Sequence, residues 1–192
     1  MSKFFRKLSP VKTKHLCALA ALFFYPLHLH AEPVDDIRNY REYSDTLASA
    51  GQPSAAQIRA AAEEGFERIV DLSFNGGNKG IDDEDKVVID SGMRFVQLPV
   101  NWQSPSPADF TTFAAIMQSE PDARTLVHCQ LNYRATAFSF LYRVAVLGVP
   151  LSEAEEDMLD VWTPNDTWSS FLTETLAGYG IDYRCEACRQ DP

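Results

Sequence analysis

Positive charge is scarce in this sequence of 192 residues: 17 lysines and arginines stand against 27 acids, a formal charge of −10. Five of those bases (Lys3, Arg6, Lys7, Lys12 and Lys14) fall before residue 31 in a segment without acids, so the remainder sets 12 bases against 27 acids, or −15. Only Lys79 and Lys86 are lysines beyond that point. Such a chain repels phosphate backbones, which excludes nucleic-acid binding outside a local basic pocket. Any anion site must then be built from arginine or backbone N–H groups. Long apolar runs are lacking too. The one candidate, residues 16–27, is shorter than the roughly 20 residues a helix needs to cross a bilayer. Disorder is excluded in turn, because 45% hydrophobic and 11% aromatic residues suffice for a packed core.

The apolar run follows basic residues and ends near Leu29-His30-Ala31, with Glu32-Pro33 beyond. This is the tripartite pattern of a secretory signal peptide. The expectation is a signal over 1–31, then a single periplasmic or secreted domain over 32–192 without membrane contact. Cysteine is also sparse. Of four, Cys17 lies in the signal and Cys129, Cys185 and Cys188 remain. Cys185-Glu186-Ala187-Cys188 reads first as a short disulfide, with a redox pair or half a metal site as alternatives. No second Cys or His pair lies nearby to complete a zinc set, and no metal or other cofactor is expected. Cys129 is left as the free thiol.

Residues 32–45 read as a polar lead-in. The pattern then predicts a strand from Leu47, a helix capped by Ser54 and ended by Gly65, and a strand over 66–72. A loop around Asn75-Gly76-Gly77-Asn78 leads to a helix over 82–91 and a strand over 94–100. Phe110, Phe113 and Met117 repeat at helical spacing over 108–119, Thr125 to His128 form a short strand, and 135–147 is a strongly apolar helix. Two more helices are predicted near 152–161 and 167–178. Alternating strands and helices predict an α/β sandwich around a mostly parallel sheet.

The chemistry lies in His128-Cys129-Gln130-Leu131-Asn132-Tyr133-Arg134-Ala135-Thr136. A buried strand ends at a cysteine, a four-residue turn follows, and an arginine opens a long apolar helix. The N–H groups of Gln130, Leu131, Asn132, Tyr133 and Arg134 can converge there on one anion, within the positive field of the helix N-terminus. That field also favours a thiolate at Cys129. Arg134 can grip two oxygens of a tetrahedral anion.

His-Cys-x4-Arg in this setting resembles the protein tyrosine and dual-specificity phosphatase superfamily. It resembles more closely a bacterial phosphatase-like branch related to a domain fused to beta-lactamase-like hydrolases. The resemblance runs over roughly 46–147 and takes in Ala50-Gly51-Gln52-Pro53-Ser54, Gly65-Phe66, Gly92-Met93-Arg94-Phe95, Leu98-Pro99-Val100 and residues 138–143. It implies the three-layer phosphatase-like sandwich, with a helical extension and tail over 150–192. It also implies a hydrolase of phosphate monoesters on a phosphoprotein, phosphotyrosine among them, or on a small ester. Cys129 would be the nucleophile, Arg134 the clamp, and His128 and Thr136 supporting residues.

Two departures keep other readings open. Four residues separate Cys129 from Arg134 where the superfamily usually has five. The shorter loop is the size seen in rhodanese-like sulfurtransferases, which would place a persulfide on Cys129. Asn101 stands where relatives carry an acid, which favours a binding module without chemistry unless Asp109 or an acid of Asp82-Asp83-Glu84-Asp85 replaces it. Helix-start placement gives those acids an ordinary alternative role. Trp102, Tyr133 and Tyr142 are candidates for the mouth of the site, Tyr142 more naturally for the core. The sequence leaves oligomeric state undetermined.

Overall fold

Short runs of β-branched and apolar residues become strands here because helices cover both of their faces. The computed structural model describes residues 32–74 and 80–188. The expected signal over 1–31, the Asn75 to Asn78 turn and the last four residues lie outside the described residues. A single 3-10 turn, Val34–Asp36, leads into β1 (Arg41–Ser44) and β2 (Leu47–Ala50). Then follow α1 (Ala55–Glu63), β3 (Arg68–Asp71), α2 (Glu84–Asp90), β4 (Arg94–Gln97) and α3 (Pro107–Ser119). β5 (Thr125–His128), α4 (Tyr133–Ala145), α5 (Leu151–Leu159) and α6 (Asp166–Gly178) complete the order.

The sheet order is β1-β2-β5-β3-β4. β2, β5, β3 and β4 run parallel, and β1 is an antiparallel edge strand on β2. The three inner strands are buried at every position, as expected of a parallel sheet covered on both faces. Val70 and Val127 belong to one core with Phe110, Phe138 and Trp168, on the side of α3, α4 and α6. Ile69 and Leu126, one residue away, face a second core with Ile58 and Val88 of α1 and α2. This confirms the mostly parallel α/β sandwich.

Local signals explain most boundaries. Ser54 accepts from the Gln57 N–H while Gln57 accepts from the Ser54 N–H, a reciprocal cap. Gly65 follows α1 at φ +89°, a conformation that favours glycine. The lead-in over 32–45 is more ordered than the sequence suggested. Val34 and Ile37 are buried in the second core, and Arg41–Ser44 pairs as β1. Polar residues hide this strand because an edge position buries little of it. Cys185 and Cys188 are bonded to each other, and Cys129 is free and buried. No helix among the described residues is long and apolar enough to cross a membrane.

Candidate active site

Cys129 stands just beyond the carboxyl end of β5, the middle strand, with its N–H donating to the Ala50 carbonyl at 3.3 Å. Ligands of open α/β sheets bind at this edge. The turn that follows is held from below. Gln52 N–H donates to the Gln130 carbonyl at 3.2 Å. A Cβ on Gly51 would come within 3.0 Å of the Arg38 carbonyl oxygen and 3.2 Å of the Gln130 oxygen, tighter than side chains ordinarily pack, so the close approach of the two backbones favours glycine.

Asn132 closes the turn at φ +71° and lets α4 begin at Tyr133, two residues before the predicted start. Its Nδ2 donates to the Asn39 carbonyl at 2.6 Å. Asn39, itself at φ +53°, donates its Nδ2 to the Leu131 carbonyl at 3.0 Å. Two asparagines in left-handed conformations therefore clamp the turn to the chain segment ahead of β1. Sequence reasoning missed Asn39, because nothing along the chain links it to a turn more than ninety residues away. We expect Asn132→Ala to lose about 1–2 kcal/mol through the left-handed backbone and about 1 kcal/mol through the lost hydrogen bond. Asn132→Gly should lose mainly the hydrogen bond. Urea unfolding of the two variants checks this, and equal stabilities would contradict a conformational role for Asn132.

Above the turn lies a cavity of about 250 Å³ lined by Trp102, Cys129, Gln130, Leu131, Tyr133 and Arg134. All six lining residues were singled out from the sequence, Trp102 as a candidate for the mouth. Among the turn residues Asn132 is the exception, buried beneath the turn as its clamp. The N–H groups of Gln130, Tyr133 and Arg134 donate to no acceptor among the described residues. Nor does the Arg134 guanidinium make an ion pair there, and its buried Nε is unpartnered. Its near neighbour is the Trp102 ring, 5.7 Å from the guanidinium carbon to the ring centroid. Open donors, a guanidinium and a thiol around a small cavity are what a tetrahedral anion requires.

One wall is aromatic. Tyr133 stacks on Trp162 at 4.9 Å, and Trp102 packs 5.3 Å from Trp162 and 5.0 Å from Trp168. Trp168 Nε1 donates to the Trp102 carbonyl at 3.0 Å, tying the loop after β4 to α6. Trp162 and Trp168 were not foreseen, although tryptophans at the borders of two helices were the available signal. Tyr142 is buried against Phe113, away from the cavity.

No carboxylate lines this cavity among the described residues. Asn101 does not either: its Oδ1 accepts the Gln103 N–H at 3.0 Å and shapes the turn that presents Trp102. Asp109 is the N-terminal cap partner of α3, accepting from the Ser106 N–H and hydroxyl at 2.9 and 2.8 Å. Asp82, Asp83, Glu84 and Asp85 line a different cavity. Thr136 makes no hydrogen bond to the sulfur. Its hydroxyl pairs with Tyr43 Oη at 2.9 Å, and Tyr43 also pairs with Ser49 at 2.8 Å, fixing α4 to β1 and β2. His128 faces the other side of the sheet, fully buried, with Nε2 3.1 Å from Glu84 and 3.9 Å from Asp71. Burial pushes its pKa down, but the two carboxylates outweigh that and the net shift is upward.

No family model and no curated protein matches the sequence. Solved structures do. A candidate phosphatase of the DUF442 family from Shewanella putrefaciens CN-32 aligns with a TM-score of 0.70 at 31% identity, covering 77% of this chain and 97% of that one. TpbA of P. aeruginosa aligns at 0.59 with 20% identity, over 74% of this chain and 88% of its own. PTPMT1 aligns at 0.62 with 13% identity, over 73% and 96%. The last two share the fold. With 31% identity across nearly the whole Shewanella protein, the chain belongs to the DUF442 family and has the protein tyrosine and dual-specificity phosphatase-like fold.

Proposed function

We propose that this protein is an exported, cysteine-dependent phosphomonoesterase. One observation carries the reading: Cys129 and an Arg134 without an acidic partner among the described residues line the same small cavity at the start of a helix. The thiolate attacks phosphorus and the ester P–O bond breaks, leaving phosphate on sulfur. Arg134 and the loop N–H groups hold the equatorial oxygens, whose charge they neutralise as it shifts. Water then attacks phosphorus, breaks the S–P bond and releases inorganic phosphate. Export is supported by the basic, apolar and small-residue succession of 1–31 and fits the Cys185–Cys188 disulfide. Phosphate esters as ligands are consistent with two fold neighbours, a TpbA variant solved with pTyr and PTPMT1 solved with PI(5)P.

That no carboxylate lines the cavity among the described residues sets the substrate class within this reading. A phenolate leaves without a proton, whereas an alkoxide needs one, and positioned proton transfer contributes about 10²–10⁴ in rate. We therefore expect kcat/KM for p-nitrophenyl phosphate to exceed that for a primary alkyl phosphate by at least ~10². Equal rates would mean that an acid enters the site. The test of the function is release of phosphate from an aryl ester by the full chain under reductant. The four-residue turn favours a second reading, sulfur transfer through a Cys129 persulfide. Thiosulfate-to-cyanide turnover without phosphatase activity would select it. Phosphate binding with neither activity would make the protein an anion-binding module.

A further inference from the structure

On the face of the sheet away from Cys129, three ionisable side chains that the cysteine chemistry does not use come together. Asp71 and His128 are register partners at the last positions of β3 and β5. The alternation that turns Val70 and Val127 toward α4 turns these two toward α1 and α2. Glu84, the first residue of α2, covers them. Relative exposures are 1% for Asp71, 6% for Glu84 and 0% for His128. One ligand atom from each lies within 4.8 Å of the others.

The donor set and its spacing match a metal site. Four ligands at ~2.1 Å in a tetrahedron stand roughly 3.4 Å apart. The observed separations from His128 Nε2, 3.1 Å to Glu84 Oε1 and 3.9 Å to Asp71 Oδ1, bracket that value. Glu84 Oε1, at 3.1 Å, is the near polar neighbour of His128 Nε2, and the buried Nδ1 has no hydrogen-bond partner among the described residues. The carboxylates are oriented by other partners: Ser73 N–H donates to Asp71 Oδ1 at 2.7 Å, Gln97 Nε2 to Asp71 Oδ2 at 3.3 Å, and Gln52 Nε2 to Glu84 Oε1 at 3.0 Å. Such outer contacts position ligands in metal centres. There is also a way in. Glu84 and Gln97 line a cavity of about 620 Å³ whose other walls include Asp82, Asp83 and Asp85, an acidic approach for a cation.

We propose that Asp71, Glu84 and His128 bind one first-row divalent cation, of the Zn²⁺ or Mn²⁺ class, with the fourth position open toward the acidic cavity. One imidazole with two carboxylates suits these ions better than Mg²⁺ or Ca²⁺, which prefer all-oxygen sets, or Cu⁺, which prefers sulfur.

The test is Zn²⁺ titration of the full, oxidised chain against a metallochromic chelator, with Co²⁺ absorption as a second measurement. The expected result is a site that Glu84→Gln and Asp71→Asn each weaken at least ~10-fold and that Cys129→Ser leaves intact. Neutralising the rim with Asp82→Asn and Asp85→Asn should change affinity only a few-fold. Zn²⁺ at a hundred times Kd should raise Tm by roughly 5–10 °C. Should the ligand variants fail to fold, Co²⁺ bound to the unaltered chain still decides: visible d–d bands without a sulfur-to-cobalt charge-transfer band support the site. Absence of a tight site, a charge-transfer band, or binding that survives Glu84→Gln and Asp71→Asn but is lost with the rim acids overturns it.

Discussion

Cys129→Ser lowers turnover of an aryl phosphate by roughly 10⁴-fold or more, the scale at which loss of an enzymic nucleophile is felt. The expected loss is in kcat, with the protein still folded. Oxygen replaces sulfur in a buried position, 2% exposed, whose backbone N–H keeps its bond to Ala50. The loop donors and Arg134 also remain, so phosphate should still bind. Arg134→Lys gives the complementary pattern. An ammonium cannot reproduce the two-pronged grip of a guanidinium, so affinity for phosphate and kcat/KM fall together. Phosphate release is measured for both variants, with circular dichroism as the check on folding. Activity that persists in Cys129→Ser would remove the cysteine mechanism and leave the anion cradle standing without it.

Phe138→Ala destabilises the protein by about 3–5 kcal/mol, as expected for a large side chain deleted from a closed core. Phe138 is fully buried on α4. Its ring meets Phe113 at 5.5 Å and Phe110 at 6.3 Å, both on α3, and Phe171 at 5.5 Å and Trp168 at 6.4 Å, both on α6. The void would thus open where three helices meet, leaving none of them free to collapse without losing its own contacts. Tm should fall by roughly 10 °C. The effect should also reach the active site, because Trp168 ties α6 to the loop that carries Trp102. Thermal unfolding followed by circular dichroism checks the first point, and KM for an aryl phosphate the second. A fall in Tm of only a degree or two would show that α6 does not depend on this packing.

The core of the site was legible from sequence because it is local. Cys129, the turn and Arg134 are six consecutive residues whose roles follow from a strand leading into a helix. The helices were legible for a similar reason, since Phe110, Phe113 and Met117 declare a buried face by spacing alone. What escaped was set by contacts between distant segments. Asn39 clamps the turn across ninety-odd residues, and β1 exists only because β2 offers it an edge. Thr136 is two residues from Arg134 and counted among the supporting residues of the site, yet Tyr43 from β1 takes its hydroxyl. The acids of 82–85 were weighed as proton donors to the site, but α2 lies against the opposite face of the sheet.

Period and charge along the chain thus determined the alternation of strands and helices, the scarcity of cationic side chains and the identity of the anion-gripping turn. Each depends on neighbours within a few residues, where chain connectivity itself enforces proximity. Tertiary structure decided which side of the sheet each functional group faces. The side-chain alternation of β5 sends His128 toward α1 and α2, and Cys129 just beyond it packs on the α4 side. Only the packed helices settle that Glu84 meets the first and Trp102 borders the second.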